Sequence, residues 1–403
     1  MVTQAETRVV RRPPPPAGYP EVAPQPAFRR DIQGLRALAV LLVIGSHAAL
    51  PGFAGGYIGV DIFFVISGYV ITGLLLREAD KGLAAGLSDF YTRRIRRIAP
   101  AATATLVGTL IAAALFLGRN INPNLPGDVR WAALFAANFR LIATGSNYFV
   151  AGVNPSLITQ FWSLAVEEQF YLVFPLIVLV IATLVSPRYR LRALSITLVV
   201  GIVLSAWWSM HISAALPTPA YYSPLTRFWE LGLGCLLATL TVRGGPRKVW
   251  AELIAVALGI VLLVVALARL NPLSVFPGWL AWLPCLAALL FIWAGSGSGR
   301  TPITRLLASR PLGYIGNISY SLYLTHYAWL MLPKQMTSPL HGWVWTVVEI
   351  AGTAVTAIAS YHLLENPIRH SRRLAGDRVA VVLMLLVCIA ASWTTAIVVG
   401  RIV

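Results

Sequence analysis

Hydrophobic positions in this chain form long continuous runs, separated by short basic or Pro/Gly-rich joints, instead of the amphipathic stripe of a soluble helix. A helix needs about 20 apolar residues to cross a bilayer. Eleven runs approach or reach that length: 35–50, 57–76, 101–117, 162–185, 192–211, 225–242, 250–269, 278–295, 314–333, 343–364 and 379–400. The pattern predicts an all-α fold, a polytopic transmembrane bundle of a ten-helix unit plus an eleventh helix. Residues 1–27, which include RRPPPP and no apolar h-region, read as a disordered cytoplasmic Pro-rich tail and not as a signal peptide. Residues 28–372 then form the ten-helix domain, and 373–403 carry the eleventh helix to the far side. Two connections are long. Residues 77–100 read as a loop ending in FYTRRIRRIAP, and within 118–160 the stretch WAALFAANFRLI is amphipathic enough to lie on the membrane surface. No internal repeat of the inverted-repeat transporter kind is visible.

Composition sharpens this picture. The chain has 403 residues, 57% of them hydrophobic and only 12% charged, against about 25% charged in soluble domains. A net charge of +17 would ordinarily suggest a polyanionic partner such as nucleic acid. The positions of the charges argue otherwise. With the N-terminus inside, 25 of the 32 basic residues fall in inner segments, the distribution that sets membrane topology. The expectation is a multi-pass protein of the cell's inner (plasma) membrane, N-terminus cytoplasmic and C-terminus extracytoplasmic, with the lipid bilayer and no nucleic acid as its surroundings. Cys235, Cys285 and Cys388 lie in apolar runs at spacings that fit no metal or redox motif. No metal is expected.

Ionisable residues inside such spans are costly and mark functional sites. LRALAVLLVIGSHAAL places Arg36 and His47 eleven residues apart, about 16 Å along a helix and in nearly the same direction around it. Arg36 alone also fits a snorkelling boundary residue, and His47 an interhelical hydrogen bond. Further polar residues fall in the predicted outer half: Asp61, Glu167, Glu168, His326, Glu349, and Arg227 with Glu230 one turn on. Such a group suits proton relay, ion coupling or acid/base chemistry. Histidine's ordinary pKa, near 6.5, suits removal of a hydroxyl proton during acyl transfer. A carboxylate, Asp61 or Glu167, would orient the ring. Ser163 is a conceivable acyl carrier, but a helix-capping or interhelical hydroxyl is the commoner role by several-fold. No Gly-x-Ser-x-Gly elbow or zinc-binding His-Glu pair is present. Near the predicted inner face, Arg93, Arg94, Arg96 and Arg97 offer guanidinium forks that match phosphate oxygens, though anionic lipid would also explain them. A coenzyme A thioester would leave its phosphates there while its pantetheine arm threads inward past Arg36 toward His47.

The chain resembles the acyltransferase-3 family of integral-membrane O-acyltransferases. The resemblance covers residues 28 to about 370 and rests on six segments in order: FRRDIQGLRALAVLLVIGSHAAL, GGYIGVDIFFVISGYVITGLL, FYTRRIRRIAPA, FWSLAVEEQFYLVFPL, ISYSLYLTHYAWL and HLLENPIRH. It implies acyl-CoA, most simply acetyl-CoA, as a donor substrate on the cytoplasmic side, with no permanently bound cofactor, and a glycan or glycolipid hydroxyl as acceptor outside. It implies that Arg36, His47, Arg93, Arg96 and Glu167 matter for activity. Trp162, Ser163, Gln169, Arg227, Glu230, Tyr320 and His326 are expected to support the acceptor side. Many relatives carry an SGNH-type extracytoplasmic domain after an eleventh helix, so such a domain is an expected partner. One position departs from the family: Gln160 stands where relatives often have histidine, and glutamine cannot take a proton at neutral pH. The competing reading is a proton-coupled secondary transporter or flippase of an envelope precursor, which the intramembrane Asp, Glu and His residues fit equally well.

Overall fold

A computed structural model describes residues 29–78, 83–146, 148, 155–242, 244–245, 248–297, 299, 301–336 and 342–401. The tail expected over 1–27 lies outside the described residues. Among these the architecture is helical, with no strand. Eleven helices of 14 residues or more occur among the described residues: α1 (Arg30–His47), α2 (Gly59–Glu78), α3 (Leu83–Leu117), α4 (Phe161–Leu184), α5 (Pro187–Ile212), α6 (Pro224–Thr241), α7 (Val249–Arg269), α8 (Trp282–Gly295), α9 (Arg310–Met331), α10 (Trp343–Ser360) and α11 (Arg378–Gly400). Seven of them, α2 to α5, α7, α10 and α11, are long and apolar enough to cross a membrane. The remaining four fall short for physical reasons. Helix α8 has only 14 residues, while α1, α6 and α9 are diluted by the polar side chains discussed below.

The segment expected to be a loop at 77–100 is largely helix. Helix α3 runs unbroken for 35 residues with Pro100 inside it, about 52 Å of helix, well beyond the roughly 30 Å of a bilayer's hydrocarbon core. The four arginines therefore ride on a helix, and its phase sorts them. At about 100° per residue, Arg93, Arg94 and Arg97 share one sector while Arg96 falls to the side.

Helices in a membrane associate by close packing rather than by the hydrophobic effect, and glycine sets the two contacts that build the site. Helix α2 meets α6 where a Cβ on Gly68 would stand 1.9 Å from the Leu231 carbonyl oxygen and one on Gly234 2.0 Å from that of Val65. Helix α1 lies as closely on α9, where a Cβ on Gly316 would reach 2.0 Å from the Gln33 carbonyl oxygen. One core gathers around α2, with Leu35, Phe64, Trp162, Trp229 and Phe291. A second joins α3, the short helix Leu125–Ala133 and α11 through Leu106, Leu110, Val129, Ala396 and Val399. Helix α11 is thus packed against the bundle and is more than an isolated anchor.

Candidate active site

A cavity of about 460 Å³ opens at the end of the bundle where the α3 arginines lie. Five arginines line it, Arg36, Arg93, Arg94, Arg97 and Arg369, with His370 beside them and Glu167 as the one lining carboxylate. Phe63, Ser163 and Tyr323 complete the lining on the side toward His326, whose ring lies 5.4 Å from that of Tyr323. The side chains are held from behind. Arg94 stacks 3.6 Å over the Tyr171 ring. Ser67 donates a hydrogen bond to Glu167, whose carboxylate, with that of Glu365, is the opposite charge nearest Arg36. Glu365 ends a π-helical turn, Tyr361–Glu365, of the kind that re-aims side chains at functional sites. There it accepts from Ser321 Oγ at 3.0 Å and pairs with Arg97 at 3.9 Å. Tyr320 also lines the cavity and donates to the Ile98 carbonyl at 2.9 Å. A surplus of guanidinium forks at the mouth and an apolar throat suit a ligand with anionic groups at one end and a slender arm at the other.

Arg96 is not part of this wall. It is 5% exposed, and its guanidinium donates to the carbonyls of Ile368, Arg369 and Ser371, tying α3 to the chain after α10. Expected among the acyl-CoA-binding residues, Arg96 instead lies off the cavity wall: helical phase sends it to the carbonyls that end a helix, and by holding Arg369 it shapes the mouth indirectly.

The last residue of α1, His47, sits beyond the Tyr323 side of the cavity. His326 Nδ1 lies 2.7 Å from the Tyr323 carbonyl, and its Nε2 lies 3.1 Å from His47 Nδ1. A carbonyl only accepts, so His326 Nδ1 carries a proton and, in the neutral ring, its Nε2 is an acceptor. His47 must then donate through Nδ1, which leaves a lone pair on His47 Nε2. That nitrogen accepts from the Tyr148 hydroxyl at 2.7 Å. Burial pushes the Tyr148 phenol well above its ordinary pKa, so it remains a donor. When His47 Nε2 takes up a proton, both its nitrogens donate and His326 Nε2 still accepts. The arrangement is that of a base oriented by its second nitrogen, with a histidine in the place of a carboxylate.

Neither carboxylate proposed to orient His47 does so. Glu167 faces the arginine cavity. Asp61 belongs to a third cluster, where Arg227 Nη1 bonds Asp61 Oδ1 at 2.9 Å and also bonds Glu230. Arg227 Nε donates to the Tyr221 carbonyl at 3.0 Å, and the rings of Trp162, Tyr221 and Phe276 enclose the guanidinium. All three charged residues have 0% exposure. Asp61, Glu230 and Cys285 bring ligand-type atoms within 4.8 Å of one another, but the cation that both carboxylates hold there is the guanidinium.

Residues 29–365 match the family model of the acyltransferase domain. Peptidoglycan O-acetyltransferase OatA of Listeria monocytogenes is 33% identical over 350 residues, 84% of this chain and 55% of that protein. O-acetyltransferase OatA of Staphylococcus aureus is 31% identical over 356 residues, 85% of this chain and 58% of that one. The chain belongs to the acyltransferase family. It spans a little over half the length of these curated relatives. No solved structure matches it.

Two of the signature residues meet on one helix. Arg36 and His47 both meet α9, Arg36 within the cavity that Ser319, Tyr320 and Tyr323 line, and His47 through His326. His47 is not among the lining residues, and its partner His326 packs 5.4 Å, ring to ring, from one that is, Tyr323. Its hydroxyl bonds Ser163 Oγ at 2.6 Å and the Gln160 carbonyl at 3.2 Å. Gln160, the departure from the family, is 1% exposed and donates to the Leu324 carbonyl at 2.8 Å, joining α4 to α9. Gln169 bonds Asn138 and the Phe135 carbonyl, away from His47, and braces the short helix Ala137–Ala143 against α4. Trp162 packs between Arg227 and Tyr148 and so links the sealed cluster to the base. Tyr148, Tyr323, Arg369 and His370 went unrecognised as site residues. Arg369 and His370 end the ENPIRH segment and Tyr323 lies inside ISYSLYLTHYAWL, so motif membership could have flagged these three. Tyr148 lies in a long connection with no pattern to mark it.

Proposed function

We propose that the chain is a membrane O-acyltransferase that moves an acetyl or other short acyl group from acyl-CoA to a hydroxyl of a cell-envelope glycan, peptidoglycan foremost. The observation that carries this reading is the five-arginine cavity ending one side chain short of an imidazole whose lone pair is free of a proton. The relatives' names point the same way. The arginine end faces the cytoplasm, in keeping with the distribution of basic residues, and the histidine end faces outward. Phosphates of the donor rest on Arg93, Arg97 and Arg369, and the pantetheine arm follows Arg36 toward Ser163 and Tyr323. Transfer requires the Tyr323 ring to yield. His47 Nε2 then takes the proton of the acceptor hydroxyl, whose oxygen attacks the thioester carbonyl carbon. The tetrahedral intermediate collapses with loss of the C–S bond, and the proton passes to the leaving thiolate, giving ester and free CoA.

The test is transfer of labelled acetyl from acetyl-CoA to envelope glycan in membranes that contain the protein. His47→Gln keeps a hydrogen-bonding side chain but not the base. It is expected to lower turnover by about 10²–10⁴-fold, the usual contribution of a positioned base, while the protein accumulates normally. Undiminished transfer by the glutamine variant would overturn the assignment. A transporter would instead move label-free precursor across the bilayer with no acetyl incorporation.

A further inference from the structure

A second cavity of about 730 Å³ lies between α3, α9 and α10 and plays no part in the donor site. Its walls include Ala104 and Gly108 of α3, Trp329 and Leu332 of α9, Met336, and Leu363 beyond α10. Space is built in. Ala104 and Gly108 are one turn apart and exposed, and a Cβ on Gly108 would meet nothing within 4 Å. On the opposite wall the Trp329 indole is pinned by its Nε1 donating to Thr356 Oγ1 at 3.0 Å. Along α10 and the π-helical turn after it the lining runs from Trp345 to Leu363, about 27 Å of helix, close to the roughly 30 Å depth of a bilayer's hydrocarbon core. The groove is therefore about as long as the whole hydrocarbon core is deep, room for a polyprenyl chain and about twice the reach of a phospholipid tail, which spans one leaflet.

Only one end of it is charged. Glu349 lines the groove near the start of α10 and is 6% exposed, with Lys334 as its opposite charge. An ionisable side chain at membrane depth on an otherwise apolar wall marks a functional site. Lys334 Nζ in turn donates to the His47 carbonyl oxygen at 3.3 Å, so the charged end of the groove adjoins the base. A carboxylate beside an ammonium is suited to sugar hydroxyls, which both donate and accept.

We propose that this groove holds the hydrocarbon tail of a lipid-linked saccharide, with its sugar hydroxyls at Glu349 and Lys334, and so delivers the acceptor to His47 from within the membrane. The proposal rests on the acyltransferase reading and specifies the acceptor's form.

The test is native mass spectrometry of the full chain in detergent with two probes at equal concentration, a polyprenyl-linked disaccharide and phosphatidylglycerol. The wild type is expected to retain the disaccharide lipid preferentially. Gly108→Leu fills open space without a clash and should reduce retention by about tenfold, the loss that two displaced methylene contacts would produce. Glu349→Gln should erase the preference for the sugar-bearing lipid while leaving tail binding. Equal retention of both lipids by the wild type, or unchanged retention in Gly108→Leu, would overturn the proposal and leave an ordinary lipid-filled crevice. Thermal stabilisation by CoA, measured on the same samples, separates the two readings. If Gly108→Leu loses the saccharide lipid but keeps the CoA response, the groove and the donor site stand as distinct sites. If the wild type has no CoA response, the donor reading falls whatever the groove binds.

Discussion

The arginine cavity and the Asp61–Arg227–Glu230 cluster are built from the same side chains, arginine against carboxylate with aromatic rings behind, at depths where charge is expensive. They differ in access and in balance. The cavity is open and lines five arginines against one carboxylate, with Glu365 behind the wall paired to Arg97, a balance that suits an anionic ligand. The cluster is sealed at 0% exposure, and one guanidinium there serves two carboxylates within a cage of rings. An open set of charges leaves room for a ligand, while a closed set that answers its own charge serves as a brace. The Asp61–Arg227 pair therefore ties α2 to α6, with Glu230 sharing the guanidinium from within α6.

The largest effect expected from this contrast is at the brace. Arg227→Leu leaves two carboxylates buried without a cation, and removal of one partner from such a pair costs about 3–5 kcal/mol. Loss of monodisperse protein in size-exclusion chromatography would show it, whereas a well-folded variant with reduced donor affinity would move Arg227 into the binding class. Next in size is a contrast along one turn of α3. Arg93→Ala with Arg97→Ala should raise KM for acyl-CoA by about 10²–10⁴-fold at little change in melting temperature, since each of the two charge-assisted hydrogen bonds is worth about 1.5–3 kcal/mol. Arg96→Ala should do the reverse, lowering melting temperature through the three carbonyls it leaves unpaired. Equal effects on KM from both variants would erase the distinction between wall and brace. The smallest effect is at the partition. Tyr323→Phe gives up hydrogen bonds to Ser163 and the Gln160 carbonyl, about 1 kcal/mol each. It should soften the α4–α9 contact by a few degrees without changing KM for donor.

Much of this was legible from residue pattern alone, for reasons that also explain the rest. Continuous apolar runs have one solution in a bilayer, so the helices were predictable. The Arg36 and His47 stripe follows from helical periodicity and does face α9. The arginine run misled because four cations beside a proline look like a loop, while helical phase, visible only once α3 is known to be continuous, divides three wall residues from Arg96. Partners were the least readable feature. Acidic residues at similar predicted depth, Asp61 and Glu167, ended in different compartments because the Gly68 and Gly234 contact delivers Asp61 to Arg227. The histidine that orients His47 was visible as His326, but no sequence rule pairs two histidines 279 positions apart.

The central claim is that the donor's phosphates rest on the α3 wall at one end of a path that ends at His47. Thermal unfolding in detergent with rising CoA tests it most directly, because a ligand that binds only the folded protein stabilises it by RT ln(1 + [L]/Kd), about 2.7 kcal/mol at a hundredfold excess over Kd. The expected result is a rise in melting temperature for the wild type and for His47→Gln, and for Arg93→Ala/Arg97→Ala a rise displaced to CoA concentrations higher by the same factor as its KM. No rise in the wild type, or an undisplaced rise in the double arginine variant, would contradict it.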